Sequence, residues 1–289
     1  MSAEAEGRAA AERFRSQQNL GVQPLGDLVA IIEQATGIDV AILDADQDQH
    51  GLMMRDPQRD AVFIGVACTR NPMRQRSTLA HELGHVLFAD VTDSTAGGWS
   101  HRSPEEIRAD AFARHLLIPI EGLRQFLGER GSLTQSVLSE TVQRFLVSPK
   151  IAAIALYQAE YIDDATKQEW LSLTTPQLAT RFGWSDQYRA LQDESARRRA
   201  PQRLLARAVR AYAEGALSIQ AIATLRGITR QEAETELREA GVVPCERPVV
   251  WADPTELPDV EVDLAALDEA LNTPDHTPEP PDTTTRERE

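Results

Sequence analysis

Cysteine is scarce in this chain of 289 residues. The two cysteines, Cys68 and Cys245, lie far apart and form no C-x-x-C pair, which excludes a disulfide framework and a zinc site built from thiolates. No apolar run approaches the length that crosses a bilayer, and residues 1–6 lack the basic start and apolar core of a secretory signal. We therefore expect a soluble, cytoplasmic protein with no membrane partner.

Basic residues are outnumbered by acidic ones, and the formal net charge is −15. Residues 253–289 hold 12 acidic residues against Arg286 and Arg288, so this segment carries −10 of the total. It is also rich in proline and nearly free of aromatic residues, and it offers too little apolar surface to offset chain entropy. We predict a disordered acidic tail over residues 251–289. A helix over residues 262–271 that forms on a partner is the alternative.

The strongest motif is His-Glu-x-x-His, which runs from His81 to His85 within a stretch of helical periodicity. Positions i and i+4 of a helix lie on one face, so both histidines can aim ring nitrogens at one metal ion. Glu82 lies beside that ion and can take a proton from water whose pKa the metal lowers from about 15.7 to near 7. An accidental match on an amphipathic helix is the alternative. The apolar positions that favour a buried metal-binding helix are Thr78, Leu79, Leu83, Val86 and Leu87.

A catalytic zinc ion takes three protein ligands and keeps one position open, so a third ligand is needed. The three-histidine metzincin pattern has glycine at position 88 and histidine at position 91. This chain has Phe88 and Val91, which excludes that class. Asp93 and His101 lie in residues 90–102, which we predict to form a surface loop that acts as a flap near the cleft.

Residues 103–119 are predicted to form a second helix, and this helix supplies the preferred ligand. Glu106 and Asp110 lie one turn apart on the flank of its apolar face. Two acidic side chains beside a buried face cost free energy unless each has a partner. We predict that Glu106 binds zinc and that Asp110 accepts the free ring N–H of a motif histidine. Two alternatives stay open: Glu106 only completes a capping box with Ser103, or Glu105 is the ligand.

Two motifs together resemble the ImmA/IrrE family of metallo-endopeptidases. They are Arg76-x-Thr78-Leu79-Ala80-His81-Glu82-Leu83-Gly84-His85 and Glu106-x-x-Ala109-Asp110-x-Phe112-Ala113-x-x-Leu116-Leu117-x-Pro119. The resemblance implies a gluzincin-like cytoplasmic protease that cuts a helix-turn-helix repressor and so releases genes for stress response or mobile-element transfer. The family often has asparagine in place of Asp110 and an acid in place of Arg108, so this chain departs from it at both positions.

The order of predicted elements is similar to that of the family as well. They are a helix over residues 25–35, strands over residues 38–43, 51–54 and 61–67, and then the motif helix. We predict an α+β fold with a flexible leader over residues 1–19 and a zincin-like metalloprotease domain over residues 20–130. In this domain a small antiparallel sheet packs on helices, and the strand before the motif helix borders the cleft. An extended substrate can add to the edge of this strand, and the alternative, which is compatible with it, is that the strand is simply core.

Residues 131–250 are predicted to form an all-helical domain with helix-turn-helix-like segments at residues 133–159 and 217–240. A helix that reads DNA should present Lys and Arg to phosphates, but the last predicted helix carries four glutamates and the first carries only Lys150. We therefore expect protein contact or scaffolding instead of direct DNA binding. One basic cluster is interpreted as a solvated helix face, with the acidic tail or a nucleic acid as alternative partners. Its members are Arg197, Arg198, Arg199, Arg203, Arg207 and Arg210.

These observations together predict a zinc-dependent endopeptidase, with manganese as the alternative metal. The predicted ligands are His81, His85 and Glu106. Glu82 activates the water, and Asp110 orients a histidine. The expected partner is a protein substrate, the repressor that the resemblance implies. The alternatives are a DNA-binding transcription regulator with a structural metal site, and a catalytically silent interaction module recruited through the acidic tail.

Overall fold

The computed structural model describes residues 2–45, 51–56, 61–90, 103–129, 131, 133–245 and 264–265. The chain divides into two compact units, residues 1–245 and residues 246–289, and the fold given below is that of the first. The predicted flap from residue 91 onward and nearly all of the predicted acidic tail lie outside the described residues. Within the described part of the chain, no helix is both long and apolar enough to cross a membrane.

The first unit consists of a small sheet and many helices, so the α+β class is as predicted. The strands are β1 (Asp39–Leu43), β2 (Leu52–Asp56) and β3 (Ala61–Ala67). The helices are α1 (Ala3–Gln17), α2 (Leu28–Thr36), α3 (Pro72–Phe88), α4 (Pro104–Leu117), α5 (Ile120–Leu127), α6 (Gln135–Phe145), α7 (Pro149–Gln158), α8 (Asp164–Trp170), α9 (Thr175–Arg181), α10 (Ser185–Ser195), α11 (Gln202–Ala213), α12 (Ile219–Arg226) and α13 (Arg230–Glu239).

The sheet is mixed, which corrects the prediction of an antiparallel sheet. Its strand order is β1-β3-β2, and β3 pairs parallel with β1 and antiparallel with β2. The central position suits β3 because this strand is apolar on both faces. The expectation that β3 offers a free edge to the cleft is therefore wrong, since both of its edges are occupied. Strand β2 lies on the other side of β3 from β1, so the outer edge of β2 is an edge of the sheet.

The predicted flexible leader over residues 1–19 is instead a packed helix, α1. Ala11 and Phe14 are buried against α4, and the ring of Phe14 meets that of Phe112 edge-on with centroids 6.2 Å apart. The buried guanidinium of Arg15 donates to the carbonyl oxygen of Leu116 at 2.8 Å. The composition of α1 conceals this packing, because three of its five buried residues, Gly7, Ala10 and Ala11, are small and carry little hydrophobic signal.

The predicted domain boundary at residue 130 does not separate two cores. Buried side chains from α1 to α10 belong to one hydrophobic cluster, in which Leu123, Leu138 and Phe145 join the core that contains Leu83 and Phe112. The helix predicted to start at residue 133 starts at Gln135 instead. Helices α11 to α13 bury a small set of residues of their own. These are Ala208, Ile222, Ala223 and Ala233.

Two arginines of the predicted solvated cluster anchor the chain to the sheet instead. Arg199 pairs with Asp27, and its backbone exchanges hydrogen bonds with Ile42 on the outer edge of β1. Arg203 donates to Asp39 at 3.0 Å. The segment between α10 and α11 therefore covers the β1 edge of the sheet.

His115 on α4 is buried beside α1, away from the motif histidines. Its Nε2 atom lies 3.5 Å from Glu4 Oε1, and Glu4 also pairs with Arg114. Burial, and then the positive charge of Arg114, lower the pKa of His115 to about 4. In the folded protein His115 is therefore neutral at a pH where the unfolded chain binds a proton.

We expect His115 to make the fold acid-sensitive. In the folded protein the pKa of His115 lies below its ordinary value of 6.5. His115 therefore does not change the stability above pH 6.5, and the free energy of unfolding falls as the pH drops from 6.5 towards 4. The loss at pH 5 should be about 2 kcal/mol. Urea unfolding of the metal-free chain at pH 7 and pH 5 measures this slope.

In a His115→Gln variant, the loss of unfolding free energy between pH 7 and pH 5 should be smaller by about 2 kcal/mol. The pKa of Glu4 is lowered even though burial opposes this, because hydrogen bonding and charge from Arg114 prevail. Stability from Glu4 is thus lost only below pH 4.5, outside the tested interval. An unchanged slope in the variant would rule out His115 as the cause.

Candidate metal centre

The centre lies where α3 and α4 cross at close range. Asn71 caps α3 by accepting a hydrogen bond from the backbone N–H of Arg74 at 3.3 Å, and Pro72 follows as the first helical residue. Gly84 permits the close crossing, because a Cβ atom at this position would lie 3.2 Å from the Cα atom of Ala109. The crossing brings the first turn of α4 over the histidine face of α3.

Three predicted ligands converge at this crossing. The Nε2 atoms of His81 and His85 lie 3.0 Å apart. Glu106 Oε2 is 3.3 Å from the first of these atoms, and Glu106 Oε1 is 3.4 Å from the second. Bonds of about 2.0–2.1 Å to a tetrahedral zinc ion would place two ligand atoms roughly 3.3 Å apart. The observed separations therefore fit a single small divalent ion.

The donor set fits such an ion chemically as well. Two imidazole lone pairs and a carboxylate at these separations repel one another unless a proton or a cation lies between them. Neutral imidazole and carboxylate are ligands that zinc accepts in catalytic sites. Among the residues that the structure describes, His81, His85 and Glu106 are the one group with this capacity.

Asp110 faces the other nitrogen of the first histidine. His81 Nδ1 lies 3.0 Å from Asp110 Oδ1, so the ring donates from Nδ1 and leaves the Nε2 lone pair directed at the centre. Burial opposes protonation of His81, but the hydrogen bond and charge of Asp110 outweigh it and raise the pKa of the ring. This contact is the one predicted for Asp110, and it identifies His81 as its partner.

His85 is more deeply buried than His81. Its Nδ1 atom lies 3.5 Å from Asp90 Oδ2 and makes no hydrogen bond with a described residue. Burial, and then the charge of His81, lower the pKa of His85 and favour the neutral ring, which is the metal-binding form. Asp90 was missed in the sequence, because its place beside the ring depends on how α3 ends.

Glu82 lies close enough to His81 and Glu106 for their charges to act on its carboxyl, and the residue is mostly buried. Gly51, which precedes β2, is packed against it. A Cβ atom at position 51 would lie 2.6 Å from Glu82 Oε1 and 2.7 Å from Glu82 Cδ. Burial raises the pKa of the Glu82 carboxyl, His81 opposes this, and Glu106 adds to it. A carboxylate with a raised pKa is better suited to accept a proton.

The alternative ligand positions differ from Glu106 in their surroundings. Glu105 is directed back to the helix start, where hydrogen bonds from its own backbone and from Ser103 lower the pKa of its carboxyl. Ser103 also caps the backbone N–H of Glu106 at 3.3 Å, so capping and a carboxylate directed at the histidines coexist. Asp93 and His101 lie outside the described residues.

Residues 33–157 match a family model, Peptidase_M78, described as the IrrE N-terminal-like domain. All five predicted site residues lie inside the matched segment, whereas α1 lies outside it. No curated protein matches the chain.

Proposed function

Because residues 33–157 match the IrrE N-terminal-like domain model, we propose that this chain is a metal-dependent endopeptidase of the ImmA/IrrE family. Its proposed substrate is a cytoplasmic protein of the helix-turn-helix repressor class, whose cleavage releases stress-response or mobile-element genes. The observation that carries the proposal is the convergence of His81, His85 and Glu106 within 4.8 Å, beside the buried carboxylate of Glu82.

The proposed metal is zinc, with manganese as the alternative, held by His81, His85 and Glu106. When bound, such an ion polarises the scissile carbonyl and lowers the pKa of water. Glu82 takes a proton from the attacking water and gives it to the leaving amine. Asp110 holds the ring of His81 so that its Nε2 lone pair stays directed at the centre.

The proposed substrate path follows β2. The outer edge of β1 is covered by the backbone of Arg199, and β3 is paired on both sides. In the described part of the sheet, no strand pairs with the outer edge of β2, and Gly51 at its start lies against Glu82. An extended peptide that adds to this edge by backbone hydrogen bonds would pass the carboxylate.

The C-terminal helices of the first unit favour protein contact over DNA binding. Helix α13 exposes Glu232, Glu234 and Glu236, which phosphates would repel. Thr229 and Glu232 form a capping box at the start of this helix, and Gly227 ends α12 in the left-handed region. We propose that α12 and α13, a helix-turn-helix-like pair, act as a scaffold or contact a protein.

The test is cleavage of a helix-turn-helix repressor encoded beside this chain. Incubating the two proteins with zinc or manganese should give a single cut, and a chelator should prevent it. No cut with either metal, together with less than stoichiometric metal on the purified full chain, would contradict the proposal. Salt-dependent binding of a DNA duplex without cleavage would support the DNA-binding regulator instead.

A further inference from the structure

The second motif histidine has a carboxylate beside it that the proposed mechanism does not yet use. Helix α3 ends at Phe88, and its C-cap Ala89 has a φ of 55° in the left-handed region, so the chain reverses four residues after His85. The backbone N–H of Asp90 then donates to the carbonyl oxygen of His85 at 3.0 Å. The reversal returns the Asp90 side chain to the imidazole, with Oδ2 3.5 Å from Nδ1.

Asp90 is deeply buried, with a side chain only 6% exposed. A buried carboxylate is costly unless it is paired, and Arg108 on α4 supplies the partner. Its Nε atom donates to Asp90 Oδ2 at 3.1 Å, and a second guanidinium nitrogen donates to Oδ1. This two-point contact fixes both the position and the orientation of the carboxylate.

Arg108 is itself held from two other sides. Its guanidinium lies over the ring of Phe88, 4.8 Å from the centroid, and its Nη1 atom lies 3.9 Å from Glu6 Oε2 on α1. The contacts therefore run from α1 through Arg108 and Asp90 to His85. Glu6 lies outside the segment that matches the family model, whereas the other three residues lie inside it.

We infer that Asp90 and Arg108 are positioning residues that orient His85 for the metal, as Asp110 orients His81. This inference rests on the proposed metal centre. Metal-binding imidazoles donate their second ring N–H to a carboxylate or another acceptor, which fixes the tautomer and the ring orientation. His85 Nδ1 is buried without a hydrogen bond to a described residue, and the Asp90 carboxylate faces it.

The inference predicts the effect of Asp90→Asn and Arg108→Gln on metal binding by the full chain. Each should lower zinc affinity by about 10- to 100-fold, because outer-shell partners of metal-binding histidines have effects of this size. Competition with a chromophoric chelator measures the affinity. In the cobalt-substituted protein, both variants should shift the visible absorption bands, which respond to ligand orientation and do not depend on catalysis.

A matched control uses the same helix pair away from the metal. Arg114 on α4 pairs with Glu4 on α1, so Arg114→Gln should lower thermal stability but leave zinc affinity and the cobalt spectrum unchanged. Arg108→Lys keeps the charge but loses the two-point contact, and it should restore part of the affinity lost in Arg108→Gln. If Asp90→Asn does not fold, the comparison of Arg108→Lys with Arg108→Gln still tests the inference.

The outcomes separate this inference from the proposed function. If the wild-type chain binds neither zinc nor manganese, the proposed function fails and the inference fails with it. If the wild-type chain binds zinc, and the Asp90 and Arg108 variants match its affinity and cobalt spectrum, the inference alone is wrong. Equal losses in Arg108→Gln and Arg114→Gln would also overturn it, because they would indicate a general effect of helix packing.

Discussion

Replacing Glu82 with glutamine is expected to lower kcat/KM for repressor cleavage by about 10³-fold or more, with one metal ion per chain retained. The amide cannot accept the proton of the attacking water, and general-base catalysis commonly contributes 10²- to 10⁴-fold. The metal should remain because Glu82 is outside the group of three ligands. Cleavage kinetics and elemental analysis of the same preparation measure both quantities.

The substitution is conservative in shape, which makes the result interpretable. Gly51 has no side chain to collide with the residue at position 82, and glutamine matches glutamate in size. Circular dichroism and the thermal midpoint should therefore stay near those of the wild type. Cleavage within a few-fold of the wild-type rate would show that another group serves as the base, and loss of the metal would show that Glu82 has a structural role.

Much of the candidate centre could be predicted because its spacing is local. His81 and His85 are separated by one helical turn, as are Glu106 and Asp110, and each pair lies on a single helix. Two such pairs need only one helix crossing to meet. The sequence does not by itself indicate that crossing, but Gly84 permits it.

Asp90 could not be predicted in the same way. Its place beside His85 depends on a left-handed conformation at Ala89, and alanine carries no sequence signal for that conformation. Arg108 is identified as the partner of Asp90 only when α3 and α4 are packed together.

The sheet order and the packing of α1 depend on contacts between distant parts of the chain. Parallel pairing of β1 with β3 places β2 at an edge although it lies between them in the sequence. Arg199 reaches β1 across more than 150 residues, and Arg15 contacts Leu116 across 101. Periodicity in a short window predicts which face of an element is apolar, but it does not predict which element covers that face.

Replacing Glu106 with glutamine is expected to lower zinc affinity by more than about 100-fold, and cleavage should fall with metal occupancy. The loss of a direct ligand should exceed the 10- to 100-fold effect of an outer-shell partner. Glutamine keeps the shape of the side chain but removes its negative charge. The two neutral imidazoles supply no negative charge to the metal. Chelator competition gives the affinity, and activity at saturating zinc shows how much of the loss is due to occupancy.

The neighbouring residue provides the matched control, Glu105→Gln. Both glutamates lie in the first turn of α4, so each substitution removes the same charge and a similar interaction with the helix dipole. The Glu105 side chain is directed to Ser103 rather than to the histidines, so its replacement should leave zinc affinity within about twofold. The reverse pattern would make Glu105 the ligand. Equal losses of zinc affinity in the two variants would contradict a direct bond from either glutamate to the metal. The two positions share charge and helix turn and differ only in the direction of the carboxylate.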